Sequence, residues 1–255
     1  MTKQNPEGAL LMIQPEWDAP SVIRSMVTTR GGGVSIPPYD SLNLGDHVGD
    51  LPTNVVLNRK RLREHLPADP IWLTQVHGTT VSTPSHRVRE ADSIVTNLPG
   101  EVLAIMTADC LPVLFSTQSG SVIGAAHAGW RGLCHGVLEK TVQSMRALSN
   151  EPSDPILAWL GPAIGPTSFE VGHDVLQAFE ATNHLYPPNA FISIAQKPGK
   201  YLANLYSLAR SRLQAVGIDR IAGGDLCTVI QSDQFFSYRR DGVTGRFASL
   251  IWITP

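Results

Sequence analysis

The sequence predicts an α+β fold, in which short strands gather in clusters and a few helices interrupt them. Three observations carry this expectation. Strand-like apolar runs recur near residues 21–28, 71–77, 92–96, 101–106, 111–116, 121–127, 155–160, 225–230 and 247–253. Several of these runs, VLAIM and SVIGAAH among them, are apolar on both faces, so their sheet should be covered on both sides. Four segments show the three-to-four-residue spacing of a helix that buries one face.

The helices follow in order. TNVVLNRKRLREHL is expected to start at Thr53 as its cap, with Val55, Leu62 and Leu66 on one side. Leu133 to Leu148 places Val137, Leu138, Val142 and Met145 together. Asp174 to Leu185 is a weaker helical stretch. Asn204 to Val216 is the clearest, with Asn204 as cap, Leu205, Leu208, Ala209 and Leu213 inward, and Gly217 as the stop. PSHRVREAD and SNEPSDP read as loops.

At 255 residues the chain has room for one large domain or two small ones, and no repeat or low-complexity linker divides it. Hydrophobic residues make up 42% and charged residues 16%, which supplies a core and argues against disorder. The net charge of −2 offers no basic excess for nucleic acid or an anionic membrane. Three cysteines, Cys110, Cys134 and Cys227, are too few and too odd for a disulfide framework. The amino-terminal MTKQNPEGALLMIQPEW lacks a long apolar signal core, and GALLMI is too short to span a bilayer. A soluble, reducing, cytoplasmic setting is therefore expected.

His77, Cys110 and His127 carry most of the chemical information. Each sits where an apolar run meets a turn, in TQVHGTT, TADCLPV and AAHAGWRG. Two imidazoles and a thiolate suit zinc, and three protein ligands leave the fourth position open for chemistry. Taken singly, a His at a strand end is more often a hydrogen-bonded structural residue, and a lone Cys a small hydrophobe. Context favours ligands: Gly78 and Gly129 allow close backbone approach, and Asp109 is an expensive neighbour to bury beside Cys110.

Anion-binding groups are sought among the arginines. TTRGGGVS sets Arg30 beside three glycines whose amides could face an anion. The loop SLNLGDHVGD brings Asn43, Asp46, His47 and Asp50, residues that normally cap turns. Arg131 lies four residues beyond His127, and SYRRDGVTGRFA gathers Arg239, Arg240 and Arg246 around a glycine turn. Guanidinium forks match phosphate oxygens.

Taken together, RGGGVS, SLNLGDHVGD, TQVHG, ADCLPV, AAHAGWRG, LGPAIGP with FEVG, and SYRRDG with TGR resemble the YfiH family, also called the laccase-domain or multicopper polyphenol oxidase family. The resemblance runs in order across nearly the whole chain. It implies a single domain over residues 1–255, with mixed sheets in a layered α/β/β/α arrangement similar to the cytotoxic-necrotizing-factor/YfiH-like fold. It implies a zinc site at His77, Cys110 and His127. It also implies phosphorolysis of purine nucleosides (adenosine, inosine, methylthioadenosine) together with adenosine deaminase activity. Copper-dependent phenol oxidation and peptidoglycan editing that removes misplaced L-serine are further descriptions of the family.

Four functions are weighed. As a nucleoside enzyme the protein would take a small-molecule nucleoside and phosphate, with Cys110, His127 and Asp109 catalytic and Arg30, Asn43, Arg131, Arg240 and Arg246 binding substrate or phosphate. A laccase is disfavoured, since eight histidines form no H-x-H pair, though Cu2+ could occupy the same three ligands. A cysteine hydrolase would use Cys110 as nucleophile and His127 as base. A structural zinc would need a fourth ligand from Cys134, His135 or Cys227.

Overall fold

A computed structural model describes residues 10–182 and 186–255. Residues 1–9, part of the stretch read for a targeting signal, and 183–185, the expected end of the third helix, lie outside the described residues.

The chain begins with β1 (Met12–Ile13), β2 (Ile23–Thr28) and α1 (Pro52–Arg63), followed by β3 (Pro70–Trp72), β4 (Val81–Ser82) and β5 (Ser93–Thr96). Then come β6 (Val102–Thr107), β7 (Leu111–Thr117), β8 (Ile123–Ala128), α2 (Trp130–Cys134), α3 (Val137–Leu148) and β9 (Ile156–Leu160). β10 (Glu170–Gly172), α4 (His173–Glu180), β11 (Phe191–Ser193), β12 (Lys200–Ala203), α5 (Leu205–Ala215), β13 (Ile221–Gly223), α6 (Tyr238–Asp241) and β14 (Phe247–Ile253) complete it. One sheet runs β1-β2-β14-β6-β3, a second β13-β9-β7-β8-β5-β4, and a small third β10-β12-β11.

Period-two alternation stacks the two large sheets. In β6, Leu103 and Ile105 face one side, and Val102, Ala104 and Met106 the other. In β7, Leu114 meets Leu103, Ile105 and Phe247 between the sheets, while Leu111, Val113 and Phe115 turn outward to α3 and α5. Leu62 of α1 packs on the far face of the first sheet with Val102 and Leu250. The order is therefore α/β/β/α, and the expected α+β class stands. Each fully buried Leu or Ile stabilises this stack by roughly 1.5–3 kcal/mol.

Some elements differ from expectation. α1 starts at Pro52, whose fixed φ suits the first helical position, so Thr53 is inside the helix and Leu51 caps it without a side-chain bond. The helix expected over 133–148 is two: the chain breaks at Gly136, φ 90°, between α2 and α3. α5 follows expectation, with the Asn204 side chain accepting from the Ser207 amide. No strand forms over 225–230. Cys227 makes only an isolated bridge to Ala163, and the edge strand is β13 just before it, paired with β9. Among the described residues no helix is long and apolar enough to cross a membrane.

Candidate metal centre

The chain passes twice from the first sheet to the second near the same end of the stack. β3 and β6 lie in the first sheet; β4 and β7, which follow them, lie in the second. His77 sits on the β3-to-β4 crossing, and Cys110 on the tight β6-to-β7 crossing. His127 sits near the end of β8, beside β7. Their donor atoms lie within 4.8 Å of one another. The two imidazoles meet edge to face, with ring centroids 4.8 Å apart.

Both crossings turn through left-handed backbone at non-glycine residues, His77 at φ 60° and Asp109 at φ 92°. Such conformations cost of order 1–3 kcal/mol and persist where the surroundings hold them. Asp92, fully buried, holds the first: its carboxylate accepts from the amides of Val76 at 3.2 Å, His77 at 2.9 Å and Gly78 at 2.7 Å. The Asp109 carboxylate holds the second, accepting from the Thr228 hydroxyl at 2.6 Å and the Arg239 amide at 2.7 Å. Gly129 lies beneath the cluster. A Cβ there would stand 2.6 Å from His77 Nδ1 and 3.1 Å from Cys110 Sγ.

Asp92 also faces His127 Nδ1 at 2.8 Å. Burial opposes charge on His127, but the Cys110 sulfur and the Asp92 carboxylate outweigh it and lift the imidazole to about 9. Burial and the neighbouring His127 push His77 down. Burial works to raise Asp92, yet its bonds to His127 and to the backbone amides leave it below the ordinary carboxylate value. The donor set is two nitrogens and one sulfur, with one imidazole oriented by a carboxylate, an arrangement that fits zinc or copper. Cys134 donates to the Ala178 carbonyl and Cys227 Sγ accepts from the Gly165 amide; among the described residues neither they nor His135 join the cluster.

The centre opens on a cleft of about 420 Å³, walled by His47, Gln75, Phe169, Tyr238, Arg131 and Arg246 among others. The expected anion-binding residues divide here. Arg131 lines the cleft and lies over the Trp130 ring at 4.4 Å, and its guanidinium makes no hydrogen bond or ion pair among the described residues. Arg246 also lines it, though its Nη1 donates to the Thr244 and Gly245 carbonyls, and burial lowers its pKa. Three others do not line it. Arg30 occupies a separate recess, donating to Asp40 and to the Ser232 carbonyl and packing on Phe236. Arg240 donates to the carbonyls of Thr228, Val229 and Phe235 and pairs with Asp241. Asn43 is buried and braces its loop, donating to Gly45 and Asp50 and accepting from the amides of Gly45 and Arg246. Asp109 does not line the cleft either. Asp92 was not among the expected site residues, although, like Asp109, it is an acid at the edge of an apolar run, SIVT.

A layered α+β protein with a two-histidine, one-cysteine centre at the crossing between its sheets is the class that fold and site define. Residues 24–254 match the family described as multi-copper polyphenol oxidoreductase laccase. The chain is 51% identical over 247 residues to a protein of Escherichia coli (strain K12) named purine nucleoside phosphorylase YfiH, covering 95% of this chain and 98% of that one. It is 52% identical over 244 residues to a Haemophilus influenzae protein named purine nucleoside phosphorylase, covering 94% and 98%. Among solved structures, a Neisseria meningitidis protein of the DUF152 family superposes with a TM-score of 0.85 at 44% identity, covering 96% of this chain and 99% of that one. Bacillus licheniformis YfiH gives a TM-score of 0.83 at 33% identity, covering 91% and 93%. The chain belongs to this laccase-domain, or YfiH, family.

Proposed function

We propose that the protein is a zinc-dependent purine nucleoside phosphorylase acting on adenosine, inosine and methylthioadenosine, with adenosine deaminase activity, and that it works in the cytoplasm. The observation that carries this reading is the cluster of His77, Cys110 and His127 opening on a cleft that is also lined by Arg131, whose guanidinium stacks on Trp130 and has no hydrogen-bond or ion-pair partner among the described residues. Relatives that share half of its residues are named purine nucleoside phosphorylases, which supports it.

In phosphorolysis a phosphate oxygen attacks ribose C1′, the bond to the base nitrogen breaks with its electron pair, and the base takes up a proton. Arg131 binds the phosphate dianion, and Arg246, which lines the same cleft, adds a second positive charge. Phe169 and Tyr238 give the cleft aromatic walls for a flat base. Bound zinc supplies Lewis acidity toward an oxygen of phosphate or water; Cu2+ is the alternative occupant of the same ligands. His127 moves a proton only when its Nε2 is not a ligand, since Nδ1 faces Asp92. Asp109 acts through the loops it pins together, because both of its oxygens already accept hydrogen bonds.

A second reading rests on the contacts of His127 with Cys110 and Asp92. His127 lies between the Cys110 thiol and the Asp92 carboxylate as hydrogen-bond neighbours, the partners a cysteine hydrolase uses. Such a site could cut an amide, as in the removal of misplaced L-serine from peptidoglycan precursors.

The test is incubation of zinc-loaded protein with adenosine, with and without phosphate, and chromatography of the products. Adenine that appears only with phosphate supports phosphorolysis, and inosine without phosphate supports deamination. Absence of both, with Cys110 alkylated rapidly by iodoacetamide in the zinc-loaded protein, would overturn the nucleoside reading in favour of the hydrolase.

A further inference from the structure

We propose that Asp92 is the positioning residue of the metal centre: one buried carboxylate fixes which nitrogen of His127 faces the metal and holds the turn from which His77 projects. The inference rests on the metal reading above, and not on the identity of the nucleoside.

The geometry is specific. One carboxylate oxygen of Asp92 receives both His127 Nδ1, at 2.8 Å, and the His77 amide, at 2.9 Å. The other receives the amides of Val76 and Gly78 at 3.2 and 2.7 Å. A carboxylate has about four acceptor sites and no donor, so it can satisfy this ring of donors completely. With Nδ1 committed to donating, only Nε2 of His127 is left for a metal. The amide bonds act on the other ligand. They stabilise the left-handed conformation of His77, which a non-glycine residue avoids when unsupported. The backbone adds a third tie, since the His127 amide donates to the Asp92 carbonyl at 2.7 Å. His77 and His127, from remote segments, are thus both held by a single residue. Cys110 is placed independently, by the crossing that Asp109 holds.

Asn is the informative replacement because it keeps the shape. Its single oxygen can still accept from both His127 and the His77 amide, but its NH2 faces the amides of Val76 and Gly78 as donor against donor. Asp92→Asn should therefore lower zinc affinity by about 10–100-fold, read by chelator competition on protein whose circular dichroism is unchanged. It should also alter the visible absorption of the Co2+-substituted protein, which reports ligand geometry and not stability. In wild-type protein loaded with zinc, long-range proton–nitrogen NMR should show His127 protonated at Nδ1, a readout that needs no variant to fold. Zinc affinity and cobalt spectrum equal to wild type in Asp92→Asn, or His127 protonated at Nε2 in the loaded wild type, would overturn the proposal alone. A wild-type protein that binds neither zinc nor cobalt overturns the metal reading, and this inference with it.

Discussion

Two arginine–glycine segments look alike in the sequence and differ in the fold. TTRGGG places Arg30 beside a glycine run, and AGWRG places Arg131 between glycines. Arg30 is a brace: its guanidinium reaches Asp40 and two carbonyls and lies 4.9 Å from the centre of the Phe236 ring. Arg131 is stacked on Trp130 and lines the cleft. The glycines differ in the same way. A Cβ on Gly33 would stand 2.1 Å from the Ser41 carbonyl, so that glycine lets two loops touch. A Cβ on Gly129 would stand against His77 and Cys110 of the candidate metal centre. Similar local chemistry serves loop architecture in one place and lines the cleft in the other. What decides is whether the guanidinium's donors are already satisfied by the protein.

The sharpest way to break the comparison is Gly129→Ala. The added methyl must displace His77 or Cys110, and zinc affinity should fall by about 100-fold with the fold retained, as measured by chelator competition. Unchanged affinity would mean that the cluster is looser than its distances imply. Arg131→Ala should come next. Loss of a charge-assisted contact of about 1.5–3 kcal/mol raises the KM for phosphate by roughly 10–100-fold, with no change in Tm. A fall in Tm with KM unchanged would make Arg131 a second brace.

The pH dependence of metal loading probes the centre itself. His127 in the metal-free protein holds its proton up to about 9, and a metal must displace that proton from Nε2. Zinc affinity should therefore weaken as pH is lowered from 9, by about tenfold per unit for one proton released. Isothermal titration in buffers of different ionisation enthalpy counts the proton; zero release would contradict the assignment. The smallest effect on activity is expected from Arg30→Ala. It should cost about 1–3 kcal/mol of stability in denaturant unfolding, by leaving the Ser232 and Asp40 carbonyls without their donor, while KM for phosphate stays within twofold, roughly the noise of such assays.

The contrast also explains what could be read from the sequence. The convergence of His77, Cys110 and His127 was legible because each punctuates an apolar run, and strand ends brought together by layered sheets are natural meeting points. The layers themselves were legible in strands such as VLAIM, whose two faces now pack on different cores. Arginine roles were not, because Arg30, Arg131, Arg240 and Arg246 differ only in which carbonyls and carboxylates reach them through space. Asp92 was hidden for a related reason: its partners are three amides from a turn fifteen residues away and an imidazole thirty-five residues on. The split of the helix at Gly136 was marked by the glycine itself, but apolar spacing on both sides masked it. The small sheet of β10, β12 and β11 was overlooked because its strands are three or four residues long and mostly half-exposed.

The central claim is that one sulfur and two imidazole nitrogens from three segments share a metal. X-ray absorption at the zinc edge of the purified protein measures this directly. The account predicts one zinc per chain, with a Zn–S distance of about 2.3 Å that disappears in Cys110→Ser. A zinc shell without sulfur, or full phosphorolytic activity in protein stripped of metal, would contradict it.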